Sequence, residues 1–471
     1  MNFVIVMTDT QNKCMVGAYG QKEVCTPNLD NLASEGVRFD RAYTACPVCT
    51  PARGALFSGL HPQSNGAFAN ALAPYANIKM MGTIFKERGY RAAYCGKWHL
   101  DGDRGYMGGG VADGGFESQW WYDGNNYLAD IGPEMAPKFG PMTNNKAAGD
   151  LRTDGFTRDY IWGKRVADRA VGFLESVGEE PFVLVVSFDE PHEPCFAPPE
   201  YWEKFTAEQL RGMIPSVNDD MTGKPEMQKL HFKEAQERGQ RHGWGGDDFL
   251  TKLFGCNSYI DLEIGRVLDA VSALHGDDTT VIYTSDHGVM LGSHGLHSKG
   301  SMMYEETCNI PFIIKAPGIS KGVVSDSAVS HIDILPTMFD LAGFGPFNDF
   351  HGKSLTGVMK RPCESSGEYR MLSFNRFGLY QSYAGGFYPI RCAADGRYKL
   401  SINLFDVDEF YDATDDPGES INRIDDPSYA PIRNKMHEWL LDEMDRVNDP
   451  FRCSLWGDRT WNKIRQLAYY E

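Results

Sequence analysis

PFVLVVSF, residues 181–188, is the clearest buried strand in the chain because a single polar side chain interrupts it. Residues 4–7 and 279–285 have the length and the side chains of two further strands. Between these strands, residues 158–177 and 250–274 carry apolar side chains that predict long helices. The alternation of strands and helices predicts an α/β fold, in which helices sandwich a large, mainly parallel sheet.

Polar side chains directly follow each predicted strand. Asp9 comes after residues 4–7, Asp286 after residues 279–285, and Lys97 after a further strand at residues 91–95. Ligands of open α/β sheets bind beyond the carboxyl ends of the strands, where neighbouring strands finish together. Six side chains are therefore predicted to meet at one edge of the sheet: Asp9, Lys97, His99, His192, Asp286 and His287.

The segment CPVCTPARGALFSG, residues 46–59, contains a candidate reactive side chain. Pro51 suits the first position of a helix and Thr50 its N-cap, so a helix is predicted to begin there. Cys49 would then lie at the helix N-terminus, where free N–H groups and the helix dipole favour an anion. Arg53, one turn along, offers a planar fork of donors to two oxygen atoms. The segment predicts a reactive group that faces a tetrahedral anion such as sulfate or phosphate.

Cys49-Thr50-Pro51-Ala52-Arg53, followed by Gly59, resembles the signature of type I, formylglycine-dependent sulfatases of the alkaline phosphatase superfamily. The resemblance extends from residue 4 to about residue 420 and therefore covers most of the chain. It implies an alkaline-phosphatase-like fold. The other segments that carry it are GKWHL (96–100), SFDEPHEP (187–194), DHGVMLGSHGLHSKG (286–300), IPFIIKAPG (310–318), VSHIDILPTMFDLAG (329–343) and GRYKL (396–400).

The resemblance implies a catalytic role for each matching residue. Cys49 would be oxidised to formylglycine by a formylglycine-generating enzyme, and the hydrated aldehyde would attack a sulfate ester. Arg53, Lys97 and Lys299 would neutralise the ester oxygens. His192 would protonate the leaving alcohol. His99 would take a proton from the second hydroxyl and thereby expel sulfate.

The resemblance also implies a divalent cation beside the nucleophile. Asp9, Asp286, His287 and the modified Cys49 would be its ligands. The family usually binds calcium, and the imidazole leaves manganese or magnesium open. Family members commonly have Asp-Asp where this chain has Asp9 and Thr10, so a hydroxyl or backbone oxygen of Thr10 would replace one carboxylate.

The substrate is less closely defined by the sequence. A sulfated carbohydrate is our first expectation, and an aryl or small alkyl sulfate is the second. His294 and His297 are expected to shape their loop or to contact the substrate. Aromatic side chains in the Gly-rich segment would either stack on a sugar or aromatic ring or order the loop by packing: Trp120, Trp121, Tyr122 and Tyr127.

The composition narrows the class of protein. Lys and Arg number 46 against 64 Asp and Glu, so the net charge of −18 argues against general nucleic-acid binding. No apolar run reaches membrane-spanning length, and the first residues lack the features of a signal peptide, so we expect a cytoplasmic protein. The 11 cysteines are scattered and odd in number, which favours reduced thiols.

The chain is long enough for one large domain and one small domain. We predict a catalytic α/β domain over residues 1–350 and a C-terminal α+β domain over residues 351–471. Within the first, we expect residues 101–145 to form a long loop and residues 200–248 an irregular surface excursion.

Two alternatives stay open at this stage. A phosphonate monoester or phosphodiester hydrolase of the same superfamily uses nearly the same residues, and the sequences Asp9-Thr10 and Asp286-His287 are compatible with it. In another class, the protein would bind sulfate esters without turnover if Cys49 were never oxidised.

Overall fold

The computed structural model describes residues 1–143, 157–214, 219–242, 246–345, 349–362, 367–379 and 386–462. In this part of the chain the fold is a large, mainly parallel sheet covered by helices, followed by a small antiparallel sheet. The predicted α/β class with a C-terminal α+β region is therefore confirmed. The boundary at residues 350 and 351 stays a prediction, and residues 463–471 lie outside the described ranges.

Strands and helices are numbered in chain order. The strands are β1 (Asn2–Thr8), β2 (Val37–Phe39), β3 (Ala42–Tyr43), β4 (Arg91–Gly96), β5 (Trp121–Tyr122), β6 (Phe182–Ser187), β7 (Thr279–Ser285), β8 (Phe312–Lys315), β9 (Val323–Ser325), β10 (Val329–Ser330), β11 (Arg370–Phe374), β12 (Ile390–Ala394), β13 (Tyr398–Asn403) and β14 (Glu409–Asp412). The helices are α1 (Pro27–Glu35), α2 (Cys49–Ser58), α3 (Pro62–Asn65), α4 (Met81–Lys86), α5 (Gly124–Thr143), α6 (Trp162–Ser176), α7 (Pro199–Trp202), α8 (Ala207–Arg211), α9 (Glu226–His242), α10 (Asp247–His275), α11 (Glu305–Cys308), α12 (Ile334–Leu341), α13 (Thr356–Lys360) and α14 (Ala430–Arg446).

The large sheet has the strand order β5-β4-β6-β1-β7-β8-β2-β9. β4, β6, β1 and β7 are neighbours and run parallel to one another. β8 runs antiparallel to both β7 and β2. Because four neighbouring parallel strands finish together, the polar residues that follow them lie at one edge of the sheet.

Helices bury both faces of this sheet. Val4 and Val6 of β1 face a core that includes α1, α6 and α10. Phe3 and Ile5 point the opposite way, toward a core that includes α2, α4 and α12. This alternation follows from the two-residue period of a strand. Burial on both faces explains why β1 is apolar from Phe3 to Met7 and β6 from Phe182 to Val186.

The small sheet has the order β11-β12-β13-β14 and is antiparallel. One face packs against α14, through residues such as Leu440 and Met444. The other face packs against Cys46 and Val48, which directly precede α2. The C-terminal sheet therefore supports the start of the helix that carries Cys49.

Two segments are more regular than predicted. Residues 101–145 were expected to form a loop, of which 144 and 145 lie outside the described residues. The described part contains α5, which is interrupted at Gly132 with a φ of 82°. Glycine and proline within that helix are residues that usually mark turns, which hid it in the sequence. Residues 200–248 contain α9, which is polar along most of its length and so lacks a clear apolar stripe.

No helix in the described ranges has both the length and the apolar character that a membrane span requires. The cysteines in these ranges form no disulfide, in line with the expected reduced thiols.

Candidate active site

Helix α2 places Cys49 at the sheet edge. The helix begins at Cys49 itself, with Val48 as the N-cap, so the prediction of Thr50 as the cap is wrong. The reason is that Thr50 is already helical: its amide donates to Asn70 Oδ1 at 3.0 Å, and its hydroxyl donates to the His99 carbonyl at 2.8 Å. Cys49 is 2% exposed. These contacts fix the thiol at the inner end of a cavity.

The ends of β1 and β7 bring three further side chains to this thiol. One ligand atom from each of Asp9, Cys49, Asp286 and His287 lies within 4.8 Å of the others. The thiol sulfur is 3.2 Å from His287 Nε2 and 4.0 Å from Asp9 Oδ1. All four side chains are buried. The predicted convergence of these residues is thus found in the structure.

Arg53 holds the two carboxylates in place. Its Nη2 is 3.1 Å from Asp9 Oδ2, and its Nε is 3.0 Å from Asp286 Oδ2. Nη1 donates to the Lys97 carbonyl at 2.6 Å and to Ser187 Oγ at 2.8 Å. Since Arg53 is fully buried, its donor fork faces these carboxylates and not the open cavity that was expected to receive an anion.

Two lysines surround Asp9. Lys97 Nζ is 2.7 Å from Asp9 Oδ2 and 3.1 Å from Asp189 Oδ1. Lys299 Nζ is 3.9 Å from Asp9 Oδ1 and donates to Thr10 Oγ1 at 3.3 Å. The Thr10 hydroxyl in turn donates to Asp9 Oδ1 at 2.6 Å, from a residue with a left-handed φ of 64°. The Thr10 oxygen therefore lies beside the candidate ligands.

These contacts displace the pKa values of both carboxyls. Burial raises the pKa of Asp286 to about 7, and the charge of Asp9 acts in the same direction. Burial also raises the pKa of Asp9, but Lys97, His192 and Lys299 outweigh it and hold that pKa well below its ordinary value. Asp9 is therefore the fixed negative charge at the centre of the site.

The thiol at position 49 is also stabilised as an anion. Burial and the charge of Asp9 raise the pKa of Cys49, yet Lys299, Lys97 and His287 together hold it well below its ordinary value. The positive charges around position 49 therefore favour a negative atom there.

Two histidines border the thiol on the cavity side. His99 has a left-handed φ of 58°, and its buried Nδ1 has no hydrogen-bond partner among the described residues. Burial lowers the pKa of His99, although a hydrogen bond with Cys49 opposes that effect. His192 Nε2 is 4.0 Å from Asp9 Oδ1. Burial, Lys299 and Lys97 lower the pKa of His192 to about 3, so this imidazole is neutral at neutral pH.

Tyr106 connects His192 to Asp189. Its hydroxyl donates to Asp189 Oδ1 and lies 3.2 Å from His192 Nδ1. The Lys97 ammonium is 3.9 Å from the centre of its ring, which is a cation–π contact. His192 Nδ1 is also 2.8 Å from the Glu193 carbonyl oxygen. These contacts fix the orientation of the His192 ring.

The thiol opens into a cavity of about 450 Å³, a volume in the range of small-molecule sites. Cys49, His99, His192 and Lys299 line it, as does His297. The other lining side chains combine polar and apolar character: Asn70, Ala71, Tyr106, Glu193, His231, Glu234, Ala235, Ser298, Phe377 and Leu379, with the backbone of Gly105 and Gly378.

Three residues expected to touch substrate lie elsewhere. Trp121 is buried in the core and stacks on Tyr94, and Trp120 packs edge-on against Phe173. His294 is buried, with its Nδ1 2.6 Å from Asp219 Oδ2. None of the three lines the cavity described above. Their placement favours the alternative that these tryptophans pack and that His294 shapes its loop.

Several residues that line the cavity or contact its catalytic candidates were not identified from the sequence. Asp189 and Glu193 lie in SFDEPHEP, so their proximity to His192 was an available signal. Tyr106 lies in a Gly-rich segment without periodicity, and Glu234 lies on the polar helix α9. Neither carried a signal that could have placed it near Cys49.

The donor set fits a divalent cation. Two carboxylates and one imidazole converge with residue 49, and the Thr10 hydroxyl lies beside them. Carboxylate oxygens suit calcium and magnesium, and an imidazole also suits manganese. This set does not distinguish among the three ions.

Comparison with known proteins agrees with this arrangement. The family model described as sulfatase matches residues 1–344. A second model, described as the C-terminal region of N-sulphoglucosamine sulphohydrolase, matches residues 292–446. Fold and site together define an alkaline-phosphatase-like hydrolase. The chain belongs to the sulfatase family and is a sulfuric ester hydrolase.

Particular relatives extend over almost the whole chain. The uncharacterized sulfatase YidJ of Escherichia coli K12 is 42% identical over 464 residues, covering 98% of this chain and 90% of the relative. A delta 4,5-hexuronate-2-O-sulfatase of Bacteroides thetaiotaomicron is 28% identical over 472 residues, covering 96% and 90%. The crystal structure of a phosphonate monoester hydrolase of Agrobacterium radiobacter shares the fold, with a TM-score of 0.75, 20% identity and coverage of 95% and 96%.

Proposed function

We propose that this sulfatase hydrolyses a sulfate ester of a carbohydrate, with a formylglycine formed from Cys49 as the nucleophile and a divalent cation beside it. The observation that carries the proposal is the convergence of Asp9, Cys49, Asp286 and His287 within 4.8 Å at the end of a cavity. A relative named as a hexuronate sulfatase supports a saccharide substrate. Calcium is the first candidate ion, followed by manganese and magnesium.

Residues of this chain would hold both groups. Asp9, Asp286 and His287 would bind the cation together with residue 49, and Thr10 would contribute an oxygen. The cation supplies positive charge that stabilises negative oxygen atoms, and the hydrate of formylglycine supplies an oxygen nucleophile. Maturation would require a formylglycine-generating enzyme as a partner.

Lysines would bind the sulfate group. Lys299 lines the cavity and has no carboxylate oxygen closer than Asp9 Oδ1 at 3.9 Å among the described residues. Its ammonium is therefore available to a sulfate oxygen. Lys97 lies deeper, where its contacts with Asp9 and Asp189 hold it beside residue 49. Fixed positive charges of this kind stabilise charge that develops on the ester oxygens.

His192 would protonate the leaving alcohol only after the ester has bound. Lys299 and Lys97 are among the causes that lower its pKa. An anionic ester between these lysines would offset their charges and raise the pKa of His192, so that the ring can take up and then donate a proton. His99, on the cavity wall beside Cys49, would accept a proton from the nucleophile when sulfate leaves.

Mass spectrometry of the peptide that contains Cys49 tests the nucleophile. Formylglycine lowers the peptide mass relative to an unmodified cysteine, and the modified fraction should parallel the specific activity on 4-nitrophenyl sulfate. The Cys49→Ser variant should have no measurable turnover. Full activity of that variant, or of a preparation that contains only the thiol, would exclude this nucleophile. Protein from its native cells that contains only the unmodified thiol and binds a sulfate ester without turnover would instead support the non-catalytic alternative.

Chelation tests the cation. Dialysis against EDTA should abolish activity, and calcium, manganese and magnesium should be added back separately to find which restores it. Elemental analysis of the untreated protein should find about one such ion per chain. Full activity after complete removal of divalent ions would contradict the proposal.

A phosphonate monoester hydrolase is the second candidate function. The shared fold and the pair Asp286-His287 favour it. Values of kcat/KM for 4-nitrophenyl sulfate and for a 4-nitrophenyl phosphonate monoester, measured on one preparation, separate the two functions. We expect the sulfate ester to be the better substrate, and the reverse order would favour the alternative.

A further inference from the structure

The segment SFDEPHEP carries three carboxyl groups, and only one of them faces the cavity. Asp189 lies 3.1 Å from Lys97 Nζ. Glu190 is 4% exposed, and its carboxyl accepts a hydrogen bond from the Gly163 amide at 2.9 Å. Glu193, in contrast, lines the active-site cavity. Its carboxyl forms no hydrogen bond or ion pair with any residue that the structure describes. Two of these acids are therefore used inside the protein, and the third is available to a ligand.

Glu193 lies beside the residue that would act on the leaving alcohol. Its backbone carbonyl oxygen is 2.8 Å from His192 Nδ1, which fixes the two residues relative to one another. The same cavity contains Cys49 and Lys299, at which the sulfate would bind. The Glu193 carboxyl therefore lies where the alcohol part of the ester would extend from the reacting centre.

A carboxylate at this position weakens the binding of an anionic ester unless the ester donates a hydrogen bond to it. It accepts hydrogen bonds and donates none, and it repels the negative sulfate. Burial raises the pKa of Glu193 to about 7 although Lys299 opposes that effect, as expected for a carboxyl with little access to water. A hydroxyl or ammonium group of the ligand would supply the donor that the protein does not.

We propose that Glu193 is a specificity-determining residue, which accepts hydrogen bonds from hydroxyl or ammonium groups on the alcohol part of the ester. It would thereby select sulfate esters of hydroxylated or amino-substituted rings over esters of apolar alcohols. This inference rests on the proposed function, because it assumes that the alcohol leaves on the side of His192. Glu193 would thus recognise the alcohol part of the substrate, for which the proposed function names no binding residue.

A set of esters with a matched leaving group tests the proposal. Glucose 6-sulfate, glucosamine 6-sulfate and cyclohexylmethyl sulfate are all primary alkyl esters on a six-membered ring, and only the last lacks donors. We expect the wild-type kcat/KM to be at least fivefold higher for one of the two sugars than for cyclohexylmethyl sulfate. Glu193→Met should reduce that ratio at least fivefold, because the acceptor is lost. If an ammonium is the partner, Glu193→Gln should reduce the glucosamine ratio more than the glucose ratio.

Glu190→Gln is the matched control, since it makes the same substitution three residues away on a side chain that faces α6. Its ratio should equal that of the wild type. The proposal is overturned if wild type lacks the fivefold preference, if Glu193→Met keeps it, or if Glu190→Gln loses it equally. If Glu193→Met does not fold, as judged by its thermal unfolding, Glu193→Ala, which also removes the acceptor, decides by the same fivefold criterion. Turnover of 4-nitrophenyl sulfate that depends on Cys49 reports separately on the proposed function.

Discussion

Two buried lysines of this protein, Lys299 and Lys399, have different surroundings. Lys399 Nζ lies 2.7 Å from both Glu305 Oε1 and Glu419 Oε1. We refer to Lys399, Glu305 and Glu419 as the junction cluster, because it joins β13 of the small sheet to α11 of the large domain. Among the residues that the structure describes, Asp9 is the one carboxylate within 4 Å of the Lys299 ammonium, at 3.9 Å, and Lys299 lines the active-site cavity.

Both lysines have raised pKa values for the same kind of reason. Burial lowers the pKa in each case, and neighbouring negative groups outweigh it. A displaced pKa therefore does not distinguish Lys299, the proposed sulfate-binding lysine, from Lys399 in the junction cluster. The number and distance of the carboxylate partners do distinguish the two lysines. A lysine beside a cavity that lacks a close carboxylate keeps its positive charge available to a ligand. The contrast predicts that loss of Lys299 affects catalysis and that loss of Lys399 affects stability.

The largest expected effect is that of Lys299→Met. Removing one positive group from the site should lower kcat/KM for 4-nitrophenyl sulfate by about 100- to 1,000-fold. The free energy of unfolding should change little, since Asp9 would keep Arg53 and Lys97 as closer partners. Steady-state kinetics and urea denaturation measure the two quantities. A variant that keeps activity within a few-fold of wild type would show that Lys299 does not bind the ester.

Lys399→Met should give the opposite result. Two buried carboxylates would lose their common partner, so the free energy of unfolding should fall by about 3–5 kcal/mol. The kcat/KM per folded molecule should remain close to the wild-type value, because the junction cluster lies outside the cavity. Urea denaturation and kinetics at a temperature where the variant is folded test this. Unchanged stability would mean that the cluster contributes little to joining the two parts.

Tyr106→Phe should have an intermediate effect on activity. The substitution keeps the ring against Lys97 and removes the hydroxyl that contacts Asp189 and His192. The kcat/KM should fall by about tenfold, which corresponds to the loss of one hydrogen bond. Tyr127→Phe is the matched control. The Tyr127 hydroxyl donates to the Tyr160 carbonyl at a distance of 2.6 Å, and Tyr127 does not line the cavity. Equal losses in the two variants would contradict a role of Tyr106 in orienting His192.

The last expected effect is on the pH dependence of stability and leaves activity unchanged. Burial raises the pKa of Glu419 from 4.5 to about 7, and Glu305 acts in the same direction while Lys399 opposes it. Between these two values the folded state binds more protons than the unfolded state, so this group makes stability fall as pH rises, by up to about 1.4 kcal/mol per pH unit. Glu419→Gln should remove that contribution. The difference between the wild-type and variant free energies of unfolding, measured from pH 4.5 to 7, should therefore vary with pH. A constant difference would exclude a contribution of Glu419 to the pH dependence of stability.

The sequence predicted the parts of the molecule that follow simple periodicity. Strands β1, β6 and β7 are short runs of strand-forming residues followed by polar residues, so the meeting of Asp9 and Asp286 at one edge could be expected from strand parallelism. The C-terminal antiparallel sheet was also expected. The antiparallel direction of β8 was not expected, because the sequence pattern of an apolar strand buried on both faces does not indicate its direction.

The remaining parts depend on contacts that no local pattern encodes. Arg53 was expected to face the anion, yet tertiary packing directs it to Asp9 and Asp286. Trp121 was a candidate platform for a sugar, and its apolar ring lies instead in the core against Tyr94. Glu234 reaches the cavity only because α9 passes over it. In each case the contacts of the side chain were decided by the tertiary fold.

Every residue of Cys49–Ser58 is buried in the folded protein. An enzyme that oxidised Cys49 would have to bind this segment of backbone. In the folded protein the segment is buried and so is not accessible to a second protein. Maturation would therefore compete with folding, during or soon after synthesis on the ribosome. Under that competition, cells that produce the chain faster than they can oxidise it would accumulate well-folded molecules that stay permanently inactive.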